Sequence, residues 1–305
     1  MSKTAFIYPG QGAQICGMGA DFYRNSPLSA DLFDRASRML GIDMGKLCFE
    51  KNDLLDLTEY TQAALVTTSL AMTRVVMERG ITPDITAGLS LGEYSAIAAA
   101  GGMTEEDAIR LVRKRGILMQ NTVPAGEGAM CAVLSLEEGR IEETVRDMDG
   151  VGIANYNCPG QIVITGKTSS VKLAAEKLKE AGAKRCIMLN VSGPFHSAML
   201  QPAAEELKAE LNKVQWNPLR VPYVTNVHAG IVDDIAETAE LLTRQLISPV
   251  RWMQSMETMI AGGVTTFVEI GPGKTLAGFL RKISREAKVI NIASWEDLER
   301  LGEIE

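Results

Sequence analysis

The feature that most limits what this chain can become is an alternation of short β-rich runs with longer stretches of helical periodicity, interrupted once. Thr4–Tyr8 is a compact apolar run stopped by Pro9 and Gly10, and helical patterns follow it as far as Gly80. Ile85–Leu89 is the next β-type run and leads into a helix of small residues, Leu91–Ala100. Strand and helix in alternation predict a mostly parallel sheet with helices on its faces. From about Ala129 to Val191 the order changes to strand (Met130–Leu134), helix (Glu137–Met148), two strands around Asn157-Cys158-Pro159-Gly160, helix (Ser169–Ala181) and strand (Arg185–Asn190). That is the βαββαβ order of a ferredoxin-like unit. The first pattern then resumes with Pro222–Val227, Val264–Glu269 and Lys288–Ile292. The chain is therefore expected to be an α/β protein in which a small ferredoxin-like domain, residues 127–194, is inserted into a large one formed by residues 1–126 and 195–305. Its 305 residues suffice for two such units. A cleft between them is the expected ligand site.

A formal net charge of −7 argues against a general nucleic-acid binder, because phosphate affinity needs clustered Lys and Arg. The five cysteines, Cys16, Cys48, Cys131, Cys158 and Cys186, lie far apart with no C-x-x-C pair, which suits free thiols in a reducing compartment and predicts no metal site. The amino-terminal apolar run is too short for a signal peptide. No apolar stretch approaches the roughly 20 residues that span a bilayer. A cytoplasmic protein without membrane contact is expected.

Gly88-Leu89-Ser90-Leu91-Gly92 fits G-x-S-x-G between a β-type run and a helix, the context that this motif requires. Small residues are needed at both glycines because the serine occupies a tight strand-to-helix turn where a flanking Cβ would strike backbone. Such a turn thrusts Ser90 Oγ into the cleft and leaves the Leu91 N–H, at a helix N-terminus, free for a developing oxyanion. A serine at its free pKa is a poor nucleophile and requires a base, most often His. Only two histidines exist. His196 lies in the Gly-Pro loop Ser192-Gly193-Pro194-Phe195-His196-Ser197, where the chain re-enters the large domain. His228, in the turn-like Asn-Val-His-Ala-Gly, reads as an exposed turn residue. His196 is the expected base, with no acidic third member in view and that role open to a backbone carbonyl or an amide.

Thr104 with Asp107 three residues on marks a helix start running to about Met119. At about 100° per residue, Ala108, Leu111, Val112, Leu118 and Met119 form an apolar stripe, and Arg115 falls inside it. A guanidinium facing a core must meet a carboxylate. That partner is either a protein Asp or Glu or a carboxylate of the substrate; in the second case the transferred group is a dicarboxylic acyl group. Two glycine-rich decoys fail. Gly10-Gln11-Gly12 has Ile15 where G-x-G-x-x-G needs its third glycine, and Gly273-Lys274-Thr275 has Val268 where a P-loop needs its first. The loop Pro9–Gln14 is instead a source for a second oxyanion donor.

These residues closely resemble the bacterial malonyl-CoA:acyl-carrier-protein transacylase family over nearly the whole chain. The resemblance rests on Pro9-Gly10-Gln11-Gly12-Ala13-Gln14, the Gly88–Glu93 elbow, Arg115-Gly116, and Asn155-Tyr156-Asn157-Cys158-Pro159-Gly160-Gln161. It rests also on Pro194-Phe195-His196-Ser197, Gln245-Leu246 before Pro249-Val250-Arg251-Trp252, and Glu269-Ile270-Gly271-Pro272-Gly273. It implies an α/β-hydrolase-like large domain with a ferredoxin-like small one. It further implies Ser90 as nucleophile, His196 as base, the Gln11 and Leu91 N–H groups as oxyanion hole, and Arg115 as the grip on a malonyl carboxylate. The main-chain carbonyl of Gln245 would orient the histidine. Gln62 and Asn226 match polar residues lining the site, and Asn155 and Asn157 match a CoA channel, although a bare Asn-Cys-Pro-Gly hairpin turn explains that pair nearly as well. Leu89 stands where the family most often has His. Phe195 resembles versions that favour malonyl over bulkier branched units.

The activity so implied is ping-pong transfer of malonyl from malonyl-CoA to the phosphopantetheine thiol of acyl carrier protein for fatty acid synthesis, through malonyl-Ser90 and without a cofactor. A monomer is expected. Because such carriers are acidic, a local basic rim is expected from Arg113, Lys114, Arg281 and Lys282. The rival readings are an acyltransferase serving a polyketide synthase, a serine esterase with no use for Arg115, and a silent binding subunit, which the coexistence of Ser90, His196 and Arg115 opposes.

Overall fold

The computed structural model describes residues 3–191 and 193–304; Ser192, assigned above to the His196 loop, lies outside the described residues. The strands are β1 (Lys3–Tyr8), β2 (Ile85–Gly88), β3 (Gly128–Leu134), β4 (Val151–Cys158), β5 (Gln161–Lys167), β6 (Arg185–Met188), β7 (Tyr223–Val224), β8 (Ile231–Val232), β9 (Val264–Ile270) and β10 (Lys288–Ile292). They form two sheets, as the alternation predicts. The larger has the order β10-β9-β1-β2-β7-β8 and is parallel except for β8, which turns back on β7. β1 lies in the middle, paired on both edges, and its residues Thr4–Tyr8 are all buried, which is why it reads as a continuous apolar run rather than an alternating one.

The smaller sheet has the order β4-β5-β3-β6 with every neighbour antiparallel, and the helices Glu138–Arg146 and Thr168–Glu180 supply its crossovers. This is the ferredoxin-like arrangement. Main-chain hydrogen bonds from Tyr156 N–H to Val250 O (2.9 Å) and from Val250 N–H to Ala154 O (2.8 Å) tie it to the segment that follows Gln245.

Three predicted elements are shortened, each beside the cleft. The run Pro222–Val227 stays in the sheet only for Tyr223 and Val224, because Asn226 leaves the ladder to bond the elbow. The run ending at Asn190 stops as a strand at Met188, and Leu189, Asn190 and Val191 turn to line the cleft. The hairpin turn after β4 is Pro159-Gly160 alone, so Asn155 and Asn157 are strand residues and turn chemistry does not account for them. Register shifts in β4, one just before Asn155 and one at Asn157, interrupt the regular pairing there.

The helix Thr58–Glu78 is buried along most of its length and packs beside Glu105–Thr122, which brings Gln62 to Arg115. Thr104 caps the second of these by accepting from the Asp107 N–H (3.0 Å), at the start the sequence marks.

Candidate active site

The elbow is built as the sequence requires. Ser90 has φ 51°, a left-handed backbone that costs a non-glycine residue about 1–2 kcal/mol. A Cβ on Gly88 would collide with the Gly92 carbonyl, and one on Gly92 with the Tyr8 carbonyl, so neither position admits a side chain. Asn226 holds the strained turn from outside: its Oδ1 accepts from the Ser90 N–H (2.6 Å) and its Nδ2 donates to Gly88 O (2.8 Å). Expected to line the substrate site, Asn226 is fully buried and its amide is committed to the turn.

His196 Nε2 lies 2.7 Å from Ser90 Oγ, and its Nδ1 lies 2.8 Å from the main-chain carbonyl of Gln245. A carbonyl can only accept, so Nδ1 carries the proton and Nε2 offers its lone pair to the serine hydroxyl. A neutral carbonyl thus occupies the place that a carboxylate fills in other serine enzymes. Burial, and then the Arg115 charge, pull the His196 pKa down to about 4. Both effects disfavour the imidazolium, so the neutral base persists well below its ordinary range. With acetyl-CoA, which brings no carboxylate to Arg115, kcat/KM is expected to stay flat from pH 8 to about 5 and to halve near pH 4. A fall centred near 6.5, with the fold intact by circular dichroism, would contradict this environment.

Arg115 is 1% exposed and, among the described residues, meets no carboxylate at ion-pair distance. Its Nη1 donates to Gln62 Oε1 (2.9 Å), its Nη2 to Gln245 Oε1 (3.1 Å) and Ser90 Oγ (3.2 Å), and its Nε–H has no partner among the described residues. Tyr94 stacks beneath it with the ring centroid at 5.6 Å. Of the two partners open at the sequence level, the protein carboxylate in direct contact is therefore excluded among the described residues. Arg113, by contrast, is engaged by Glu59 (2.9 Å) and lies over the Tyr60 ring. With Lys114 it borders a separate groove beside Leu40 and Lys213, and neither lines this cleft. Arg281 and Lys282 are exposed at the end of the helix Thr275–Ile283, whose Thr275 and Phe279 reach the cleft.

The cleft has a volume of about 390 Å³ and lies between the two sheets. Ser90, His196, Gln11 and Leu89 line it from the large sheet's side and Asn155, Asn157 and Gln161 from the small one's, with Phe195 where the chain passes between. Gln11 is fixed through its side chain, donating to Thr58 Oγ1 (3.0 Å) and accepting from Gln62 Nε2 (3.4 Å). Gly10 packs against the Leu89 carbonyl too closely to carry a Cβ, which brings this loop against the elbow. Among the described residues, neither the Gln11 nor the Leu91 N–H donates to a protein acceptor. Asn157 Oδ1 is likewise unpartnered. His228 is an exposed turn residue, its Nδ1 accepting from the Gly230 N–H.

Glu93 escaped the sequence reading. It is fully buried behind the nucleophile, bonded to Gln245 Nε2 (2.5 Å) and the Asn226 N–H (3.2 Å). The signal was available: a carboxylate on a helix otherwise made of small and apolar residues is as incongruous as Arg115 on its stripe.

Residues 5–297 match the acyl transferase domain family. The malonyl CoA-acyl carrier protein transacylase of Bacillus subtilis is 47% identical over 98% of this chain and 96% of its own. The solved structure of the malonyl CoA-acyl carrier protein transacylase of Clostridium perfringens is 44% identical, covers 99% of this chain and 96% of its own, and superposes with a TM-score of 0.95. A malonyl-transacylase solved in complex with a type II polyketide synthase acyl-carrier protein is 37% identical over the whole of both chains, with a TM-score of 0.96. With relatives of this identity along its full length, the chain belongs to the malonyl CoA-acyl carrier protein transacylase family of acyltransferases.

Proposed function

We infer that this chain transfers a malonyl group from malonyl-CoA to the phosphopantetheine thiol of acyl carrier protein by way of an ester on Ser90, supplying fatty acid synthesis. The observation that carries the choice of acyl group is Arg115: a buried guanidinium 3.2 Å from the nucleophile, without an ion-paired carboxylate among the described residues. Such a group calls for an anionic acyl tail.

Ser90 Oγ gives its proton to His196 Nε2 and attacks the thioester carbon; the oxyanion is held by the Gln11 and Leu91 N–H groups. The carbon–sulfur bond breaks, the proton passes from His196 to the departing CoA sulfur, and malonyl-Ser90 remains. The carrier's thiol then gives its proton to His196, attacks the ester from the same side, and Ser90 Oγ recovers the proton. The malonyl carboxylate takes over the Arg115 Nη2 donor that rests on Ser90 Oγ. Cancelling the Arg115 charge also removes one of the two effects that depress His196, so the base strengthens when the correct substrate docks. Every proton and electron pair comes from Ser90, His196 and the reacting thioester or thiol, so the chemistry needs no resident cofactor.

In this reading residues 127–194 form the unit that closes the cleft, with Asn155 and Asn157 along the CoA channel. Gln62 is a support for Arg115 and Asn226 for the elbow. Arg281 and Lys282 receive the acidic carrier. A monomer is the expected state. The five free thiols fit a reducing cytoplasm, and no helix of the described residues is long and apolar enough to cross a membrane.

A polyketide carrier is the second reading, favoured by the complex noted above. Transfer from malonyl-CoA to purified phosphopantetheinylated carriers of both kinds, read by mass spectrometry of the carrier, tests it. The expected result is faster loading of the fatty-acid carrier; equal or faster loading of the polyketide carrier reverses the pathway, and release of free malonate with neither loaded makes the protein an esterase.

A further inference from the structure

Glu93 is a buried charge beside the nucleophile that this mechanism leaves unused. Its Oε2 accepts from Gln245 Nε2 and the Asn226 N–H, while Oε1 has no hydrogen-bond partner among the described residues. Gln245 faces the other way as well, its Oε1 accepting from Arg115 Nη2 (3.1 Å). Two opposite buried charges therefore look at each other across a single amide instead of touching.

With the acyl site empty and Glu93 ionised, that pair is neutral. If Arg115 receives the acyl carboxylate, as the reading above has it, a second anion enters and one guanidinium must serve two desolvated carboxylates, which cannot both stay ionised at little cost. The groups facing Glu93 are Arg115 from the helix Glu105–Thr122, Tyr223 from β7, Tyr94 on its own helix, and the neutral Gln245, Asn226 and Thr225. Arg115 is the cation among them, so Glu93 senses whatever occupies Arg115. We propose that Glu93 is a proton-uptake site coupled to acyl loading: when a carboxylate docks on Arg115, Glu93 takes one proton from solvent, and the preference for malonyl over acetyl groups thereby depends on pH.

Burial holds the Glu93 carboxyl up at about 7 in the empty site, while Arg115 is among the groups that oppose the rise. Docking cancels that opposition and lifts it further. Above pH 7, Glu93 is then ionised before loading and protonated after, so malonyl affinity falls as pH rises, by up to about tenfold per unit. Below about pH 6 it is protonated in both states and the dependence disappears. His196 shares Arg115 but starts near 4, too low to capture this proton at pH 8.

The test compares kcat/KM for malonyl-CoA and acetyl-CoA between pH 6 and 9 in wild type and Glu93→Gln. It also measures proton uptake by an indicator dye in weak buffer. Acetyl-CoA carries the same phosphates and releases the same thiol, so their titration cancels in the ratio. The malonyl-to-acetyl ratio is expected to fall several-fold from pH 7 to 9 in wild type and to be flat in Glu93→Gln, which has the shape of the protonated acid. Wild type should take up measurably more protons per malonyl than per acetyl group at pH 8. A flat wild-type ratio without excess uptake overturns the proposal, as does a slope that survives in Glu93→Gln. Should that variant not fold, the wild-type proton count decides alone. Arg115→Ala separates the two ideas: an unchanged malonyl preference there overturns the carboxylate grip itself, whereas a lost preference beside a flat wild-type profile overturns only the proton coupling.

Discussion

Replacing Arg115 by alanine is expected to lower kcat/KM for malonyl-CoA by roughly 100- to 1000-fold while changing that for acetyl-CoA by less than about tenfold. The asymmetry follows from the position of the guanidinium. It is buried, reaches Ser90 Oγ, has hydrogen-bond partners that are amides and a hydroxyl, and lies over an aromatic face. A malonyl carboxylate entering this dry pocket without it would be a desolvated charge with no counter-ion, whereas an acetyl methyl needs none. Arg115→Lys should recover little, because a point charge on a flexible stem does not reproduce the fork held by Gln62 and Gln245. Initial rates with the two thioesters, measured side by side, check the result. Equal losses for both would mean that Arg115 serves the nucleophile or the fold and does not choose the acyl group.

The second large effect concerns Ser90. Incubated with malonyl-CoA and no carrier, the wild-type protein should gain the mass of one malonyl group, and Ser90→Ala should gain none and lose about 10⁴- to 10⁶-fold in transfer rate. The hydroxyl is held at 2.7 Å from a neutral imidazole on a turn that no flanking side chain could occupy. Removing it leaves the base, the oxyanion donors and the cleft in place, so CoA thioesters should still bind. That retained binding distinguishes lost chemistry from lost folding. A malonyl adduct that persists in Ser90→Ala would put the ester on another residue and dismantle the proposed mechanism.

How far the site could be read in advance depended on whether each residue's reason lay nearby in the chain. Gly88 and Gly92 are forced by the tight turn around Ser90, and Arg115 announces itself by helical period against its own stripe. Asn226 could not be read that way: its amide bonds the Ser90 N–H across 136 positions, and no periodicity in Pro222–Val227 foretells that the strand breaks off to reach it. Arg113 looked like a solvated rim charge on the same helix as Arg115. It meets Glu59 because the helix Thr58–Glu78 packs alongside, a fact of tertiary contact. Glu93 was missed for a different reason, since the criterion that found Arg115 would have found it too.

Local pattern was enough to specify the alternation that makes the parallel sheet, the βαββαβ insert, the elbow and the misplaced arginine. Each of these is enforced by sterics or periodicity within a few residues. Which groups meet at the centre was set by long-range packing: His196 with Ser90 across 106 positions, the Gln245 carbonyl with His196 across 49, and Gln245 Nε2 with the Ser90 carbonyl across 155. Such partners are selected by the packing of whole helices and strands, which brings together segments whose local patterns carry no trace of one another.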